Sequence, residues 1–353
     1  MDISLILQKK SLQKKDIISI LLLEDRKDIE SLMTRANEIR EQYFGNEIYL
    51  RGIIEFSNYC EQNCLYCGLR IRNRNLQRYR MDESLILKTA GFINQKGIKT
   101  IVLQSGEDNA YSCEFITRII RQIKSNTDSA ITLSLGERKF DEYESWREAG
   151  ADRYLLKHET ANPKLYSIYH QHQLLDERLK HLKFLKSIGF QIGSGNLIGL
   201  PHQKVEDIAD DILLCKKLNV DMASFSPFIP SPETPYRAKK PPEFSMVLKV
   251  MAVARIVLKD IHIPATTALA SMQNDGRRMG LLAGANVIMP NFTPPDFSAK
   301  YRIYPNKRND YDIFTTLDEL NKIAESLNLK IISSRGDSLK VIPHSDFASL
   351  TVI

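Results

Sequence analysis

Residues 53–68 read Ile53-Ile54-Glu55-Phe56-Ser57-Asn58-Tyr59-Cys60-Glu61-Gln62-Asn63-Cys64-Leu65-Tyr66-Cys67-Gly68. A short apolar run gives way to a polar loop with three cysteines at CxxxCxxC spacing and an aromatic directly before the third. From here outward the chain repeats one rhythm of apolar run, loop and amphipathic segment. It predicts strands over 53–56, 100–103, 130–133, 153–156, 191–198, 222–226, 263–266 and 286–289. Helical patterns separate them, for example 85–95, 114–124, 179–187, 205–218, 245–259 and 276–283. Gly97, Gly150, Gly189 and Gly284 stand where a helix hands over to the next strand. Alternation alone would also allow an open doubly wound sheet. Eight units with polar motifs just after the strands favour an α/β chain folded as a complete (β/α)8 TIM-type barrel.

Residues 1–45 carry apolar positions such as Ile18, Leu21, Leu32 and Ile39 on one helical face. They predict an N-terminal helical extension to a barrel over 46–310. Residues 311–353 form a short C-terminal α/β appendix packed on the barrel, with a helix near 317–327 and a strand near 330–332. The 353 residues are 43% hydrophobic and 26% charged, ordinary for a globular chain. No apolar run reaches the roughly 18 residues that span a bilayer, and the N-terminus does not read as a signal peptide. A cytoplasmic protein without membrane attachment is expected. The net charge of +6 permits an anionic ligand or an acidic partner, but is too small to argue for nucleic acid.

Five cysteines, three of them within eight residues, make a poor disulfide framework and a good metal or redox cluster. Cys60, Cys64 and Cys67 could bind three irons of a 4Fe–4S cube and leave the fourth iron open to the amino and carboxylate groups of S-adenosylmethionine (SAM). A structural zinc ion would need a fourth ligand from far along the chain, such as His158 or Cys113. Cys113 and Cys215 stand alone on expected helices, where cysteine behaves as a small hydrophobe. The spacing, the aromatic and the position after the first barrel strand resemble the motif of radical SAM enzymes.

Longer phrases narrow the resemblance. IEFSNYCEQNCLYCGLR, RYRM, IVLQSGED, GADRYLLKHETANPKLY, GLPHQ, FIPSPETP, IPATTAL and GANVIMPNFTPP are similar to the HydE-type radical SAM maturases of FeFe-hydrogenase, over about residues 40–310. The resemblance implies reductive cleavage of SAM to a 5′-deoxyadenosyl radical. It also implies action on a small iron–cysteine complex carrying carbon monoxide and cyanide, in assembly of the hydrogenase two-iron subcluster. Implied partners are a tyrosine-cleaving radical SAM maturase and a scaffold GTPase. Implied contacts to SAM come from Tyr66, Ser105, Gly106, Glu107, Ser134, Glu159, Arg178, Leu200 and Tyr301. Gln104, Thr132, Lys157, Thr266, Thr267 and Met289 are implied to line the substrate cavity, with Tyr301 beside them.

Two departures stand out. Lys157 occupies a position where the family carries arginine, keeping the charge but losing the bidentate fork. No cysteine follows Cys215, so an accessory cluster on C-terminal cysteines is not expected. Two rival readings remain: a carbon-skeleton mutase resembling methylornithine synthase, and a non-enzymatic iron–sulfur carrier, which would have no use for a SAM pocket. Arg70, Arg72, Arg74, Arg78 and Arg80 surround the cysteine loop. They suggest either a solvated rim or a docking face for an acidic electron donor, flavodoxin or ferredoxin.

Overall fold

The computed structural model describes residues 3–171, 173–305, 307 and 312–340. In chain order the strands are β1 (Glu47–Leu50), β2 (Gly52–Ser57), β3 (Thr100–Ser105), β4 (Ala130–Ser134), β5 (Arg153–Leu155), β6 (Gln191–Ile198), β7 (Met222–Pro227), β8 (Pro264–Ala265), β9 (Val287–Ile288) and β10 (Lys330–Ile332). The first helices are α1 (Ile3–Leu7), α2 (Lys14–Leu21), α3 (Arg26–Phe44), α4 (Glu83–Gln95), α5 (Cys113–Asn126), α6 (Phe140–Glu148) and α7 (Pro163–Tyr169). There follow α8 (Leu175–Ser187), α9 (Val205–Lys217), α10 (Phe244–Leu258), α11 (Thr267–Met272), α12 (Gly276–Leu282), α13 (Pro295–Ser298) and α14 (Ile313–Ser326).

Strands covered on both faces read as largely apolar runs, and β2 is buried along its whole length, Glu55 and Ser57 included. Strands β2 to β7 pair in sequence order, all parallel, in one six-stranded sheet. A second parallel sheet has the order β10-β1-β9-β8. The fold is therefore α/β with parallel strands, and each of the eight strands read from the sequence is present. β1 is the addition: sequence reading starts the first strand at Ile53 and assigns none to 47–50, and β1 runs through Arg51 straight into β2 with no turn residue to mark it.

The two sheets meet at single parallel bridges, Ile53 to Asn291 and Met222 to His262, rather than along full ladders. Two prolines explain why. His262 donates to the Asp221 carbonyl and accepts from Ala223. The next donor in that register would be Pro264, which has no N–H. At the other seam Arg51 and Ile53 donate to the carbonyls of Ile288 and Pro290, while Pro290 itself can return nothing.

One end of the strands is sealed by the segment after β10. Arg153, at the start of β5, donates to the Arg335 carbonyl and Asp337 (2.7 Å each) and to Thr100 Oγ1 (2.9 Å). Ser338 Oγ donates to Asp221 (2.6 Å). The N-terminal helices lie on the outside: α3 packs on α10, and Lys249 of α10 donates to the carbonyls of Leu21 and Leu23. Of the expected appendix, residues 311 and 341–353 lie outside the described residues. Among the described residues no helix is long and apolar enough to cross a membrane.

Candidate functional site

A cavity of about 370 Å³ opens at the C-terminal ends of the strands, opposite the sealed end, and all three loop cysteines line it. The loop reaches this place because its neighbour leaves no room elsewhere. Gly106, just after β3, lies so close that a Cβ there would stand 2.2 Å from the Tyr59 carbonyl and 2.7 Å from Cys60 Cβ. Glu61 N–H donates to the Glu107 carbonyl (2.9 Å). Arg80 grips Asp108 with two bonds (2.7 and 2.8 Å) and lies 3.7 Å over the Tyr59 ring. Arg78 donates to the carbonyls of Leu69 and Arg70, and Arg70 to Asn63. Three of the five rim arginines are thus staples of the loop, while Arg72 and Arg74 stand exposed.

Burial pushes the thiol of Cys60 up to about 11 and that of Cys67 up to about 12, and drives Cys64 well above the usual thiol range. A metal bound at these sulfurs would have to displace their protons. Three free thiols on one loop, facing a cavity of this size and cradled by a glycine, fit a cluster with one open iron. Among the described residues no three His, Cys, Asp or Glu side chains converge closely enough to hold a single metal ion.

Opposite the loop stands a wall of interlocked charge. Arg178, 5% exposed, pairs with Glu137 (2.9 Å) and Glu107 (3.7 Å) and donates to the Tyr166 hydroxyl (3.0 Å). Burial works against its charge, but Tyr166, Glu107 and Glu137 outweigh it and hold Arg178 above its ordinary range. Glu107 is pushed up by burial, partly offset by Arg178, and accepts from Gln62 Nε2 (2.5 Å). Gly136 has φ 72°, and a Cβ there would meet Glu107 Cγ at 1.8 Å.

After β5 the chain turns through Glu159, a non-glycine residue at φ 60°. Such strain persists only where surroundings enforce it. Here Glu159 donates to the Gly195 carbonyl (2.9 Å) and accepts from Leu197 (3.2 Å), and its carboxylate meets Lys157 Nζ at 3.1 Å. Behind it His158 is fully buried against Ser194 Oγ (3.0 Å), its basicity depressed by burial to about 3, so the ring is neutral. Asp211 anchors the turn by accepting from Ala161 N–H and Asn196 Nδ2.

Of the residues expected at SAM, Tyr66, Ser105, Gly106, Glu107, Ser134 and Glu159 line the cavity, as do Arg178 and Tyr301. Leu200 does not; it lies behind Tyr66 in an apolar cluster with Leu165, Tyr169 and Phe228. Of those expected at substrate, Gln104, Lys157, Thr266, Thr267 and Met289 line it. Thr132 faces instead a separate small void with Arg51 and Arg153, its hydroxyl buried without a partner. Sequence reading passed over Glu55, Lys307, Gln62, Tyr166 and His170. Glu55 carried a signal: a carboxylate inside an apolar strand. It is 2% exposed, ion-paired with Lys307 and bonded by Asn291 Nδ2 (2.9 Å).

A model of the radical SAM superfamily matches residues 54–215, and fold and site together define a radical SAM enzyme. The chain is 46% identical over 301 residues to the [FeFe] hydrogenase maturase subunit HydE of Thermotoga maritima, covering 85% of this chain and 86% of that one. It belongs to the HydE family of radical SAM maturases. The crystal structure of methylornithine synthase (PylB) superposes with a TM-score of 0.83 at 26% identity, covering 94% of this chain and 97% of that one. The maturase HydG from Carboxydothermus hydrogenoformans shares the fold, with a TM-score of 0.78 at 22% identity over 93% and 78% of the two chains. The family implies a 4Fe–4S cluster and SAM as cofactors.

Gly106→Ala should cost about 1–3 kcal/mol through overpacking and lower the iron bound after anaerobic reconstitution. Wild-type iron content and thermal midpoint would show that the two loops do not press on each other. Asp211 gives a pH test. Burial pushes its carboxyl up from 3.8 to about 7, so between these values the folded chain keeps a proton that the unfolded chain has released. Stability then falls as pH rises through that window, by at most about 1.4 kcal/mol per unit. The thermal midpoint of Asp211→Asn minus that of the wild type should therefore climb from pH 5 to 7; a flat difference would mean the carboxylate is already ionised in the fold.

Proposed function

We propose that Cys60, Cys64 and Cys67 hold the 4Fe–4S cluster and that the wall of Glu107, Ser134, Glu159 and Arg178 holds SAM at its open iron. The observation that carries this is the convergence of the cysteine loop and the Arg178–Glu107–Glu137 wall on one cavity. Cluster and SAM together supply a 5′-deoxyadenosyl radical after one-electron reduction. The protein's own part is placement. Glu107 and the carbonyls beside Gly106 accept from the SAM ammonium, Arg178 meets its carboxylate, and Glu159 accepts from the ribose hydroxyls. Tyr66 flanks the adenosyl end, with Leu200 packed behind it rather than in contact.

The role is in [FeFe]-hydrogenase maturation. Its substrate, on our reading, is a small iron–cysteine complex carrying carbon monoxide and cyanide, delivered by a tyrosine-cleaving maturase and passed on toward a scaffold GTPase. Gln104, Thr266, Thr267, Met289 and Tyr301 surround it, and Thr132 lies beyond them. Lys157 now pairs with Glu159. Once Glu159 turns to the ribose, Lys157 is free to meet the anionic substrate as a point charge.

Both sheets act together as one complete (β/α)8 barrel over 46–310, a reading supported by the two bridges at their seams. Residues 1–45 and 311–353 are its N-terminal extension and C-terminal appendix. The cytoplasm suits the free thiols. The exposed Arg72 and Arg74 form a docking face for flavodoxin or ferredoxin. The likeness to methylornithine synthase favours one second reading, a mutase acting on a small amino acid in the same cavity.

The deciding assay mixes apo-hydrogenase, the companion maturases, SAM and reductant anaerobically with this protein or its Cys64→Ala variant. Hydrogen evolution is expected with the intact protein alone. SAM cleavage without activation, where a known HydE succeeds, would move the assignment to the mutase. Reversal of both Arg72 and Arg74 to glutamate should slow reduction by flavodoxin at least tenfold at low salt, in line with electrostatic steering; an unchanged rate would remove the docking face.

A further inference from the structure

The cysteine loop is gripped from one side by the turn that ends α7. Leu65 N–H donates to the Tyr169 carbonyl (2.9 Å), and Asn63 Nδ2 donates to Gln171 Oε1 (2.7 Å). Between these contacts lies His170, 3% exposed, its ring stacked on Tyr166 with centroids 4.4 Å apart. Its Nδ1 stands 3.3 Å from Cys64 Sγ, and its Nε2 stands 3.1 Å from the Tyr66 hydroxyl. One imidazole thus joins two residues of the same loop.

We propose that His170 donates its Nδ1–H to the Cys64 sulfur and thereby raises the reduction potential of the cluster. The inference rests on the reading of Cys60, Cys64 and Cys67 as cluster ligands. A sulfur bound to iron has no proton and can only accept, so Nδ1 must be the protonated nitrogen. In the neutral ring Nε2 is then the acceptor for the Tyr66 hydroxyl. The chain Tyr66 O–H to Nε2, Nδ1–H to Sγ leaves neither ring nitrogen unpaired. The ring is held in this orientation by the Tyr166 stack and by the Tyr66 ring, edge-on at 5.4 Å. Tyr166 is itself fixed by Arg178. A hydrogen bond to a ligand sulfur stabilises the more negative, reduced cluster, which is how surroundings tune such potentials. His170 is therefore a positioning and tuning residue rather than a catalytic one.

The test is an EPR-monitored potentiometric titration of anaerobically reconstituted wild type, His170→Phe and His170→Gln, with iron analysis of each. The phenylalanine variant should bind as much iron as the wild type, yet its reduced-to-oxidised ratio at a fixed potential should fall about tenfold, about 59 mV for a one-electron couple. Glutamine, whose amide can donate, should recover part of the loss. Equal potentials in loaded wild type and His170→Phe would overturn the proposal and leave the cluster assignment intact. A wild type that binds no cluster would overturn the assignment itself. If the phenylalanine variant does not load, wild type labelled with 15N-histidine decides. Nitrogen coupling to the reduced cluster in pulsed EPR supports the bond, and its absence overturns it.

Discussion

The loops after β2 and β3 press together at Gly106, where a single methyl group would run into the backbone of Tyr59 and the side chain of Cys60. Because interiors are close-packed, a contact of this kind transmits position rather than absorbing error. The cysteine loop is located by it from one side and by the Tyr169–Gln171 turn from the other. Glu107, the residue after Gly106, is carried into the cavity wall by the same contact, where it meets Arg178 and Gln62. Loop and wall therefore share one reference point, and the distance between the thiols and the charged wall is set by backbone.

The two ends of the strand set are treated in opposite ways. At the sealed end Arg153 and Asp221, both buried, are matched to carbonyls, hydroxyls and Asp337 contributed by the segment after β10. At the open end prolines take over. Pro264 and Pro290 interrupt the ladders at the two seams, just before Thr266 and Thr267 line the cavity and Asn291 bonds Glu55. Ladder bonds given up there leave short strands β8 and β9, whose last residues are free to turn toward the cavity instead of continuing a sheet. Polar groups lost from pairing must be met by side chains, and Thr293 Oγ1 accepting from Glu55 N–H (2.7 Å) is one such replacement.

What could be read from sequence was whatever repeats or clusters. Burial writes strands as apolar runs, and three cysteines within eight residues stand out against any background, so β2 to β9 and the cysteine loop are legible. β1 is not, because nothing marks its boundary with β2. The seams are not, because whether a ladder closes depends on which N–H faces which carbonyl, a register question invisible along a single strand. Arg70, Arg78 and Arg80 read as one basic stretch with Arg72 and Arg74; only the tertiary fold shows that these three bond the Asn63 amide oxygen, backbone carbonyls and the Asp108 carboxylate. His170 is the most instructive omission. It lies more than a hundred residues from Cys64 and falls in a segment whose helical pattern gives a histidine no distinguishing mark.

The charge inside the cavity follows from the cost of burying it. Isolated ions in a dry wall are expensive, and the cavity's named cations, Arg178, Lys157 and Lys307, each stand against a carboxylate, Glu137, Glu159 and Glu55. Such pairing compensates the buried charge, and it also means that an anionic or zwitterionic guest gains little by simple attraction. It must exchange partners. A guest with an ammonium, a carboxylate and ribose hydroxyls can do so group for group, each new bond replacing one the wall already made, so little uncompensated charge arises on entry. A guest with charge of one sign only would leave a buried partner behind, at the several kcal/mol such orphans typically cost. On the proposed reading a zwitterion engages the wall first, and Lys157 becomes available to a second, anionic guest only after the first has engaged Glu159.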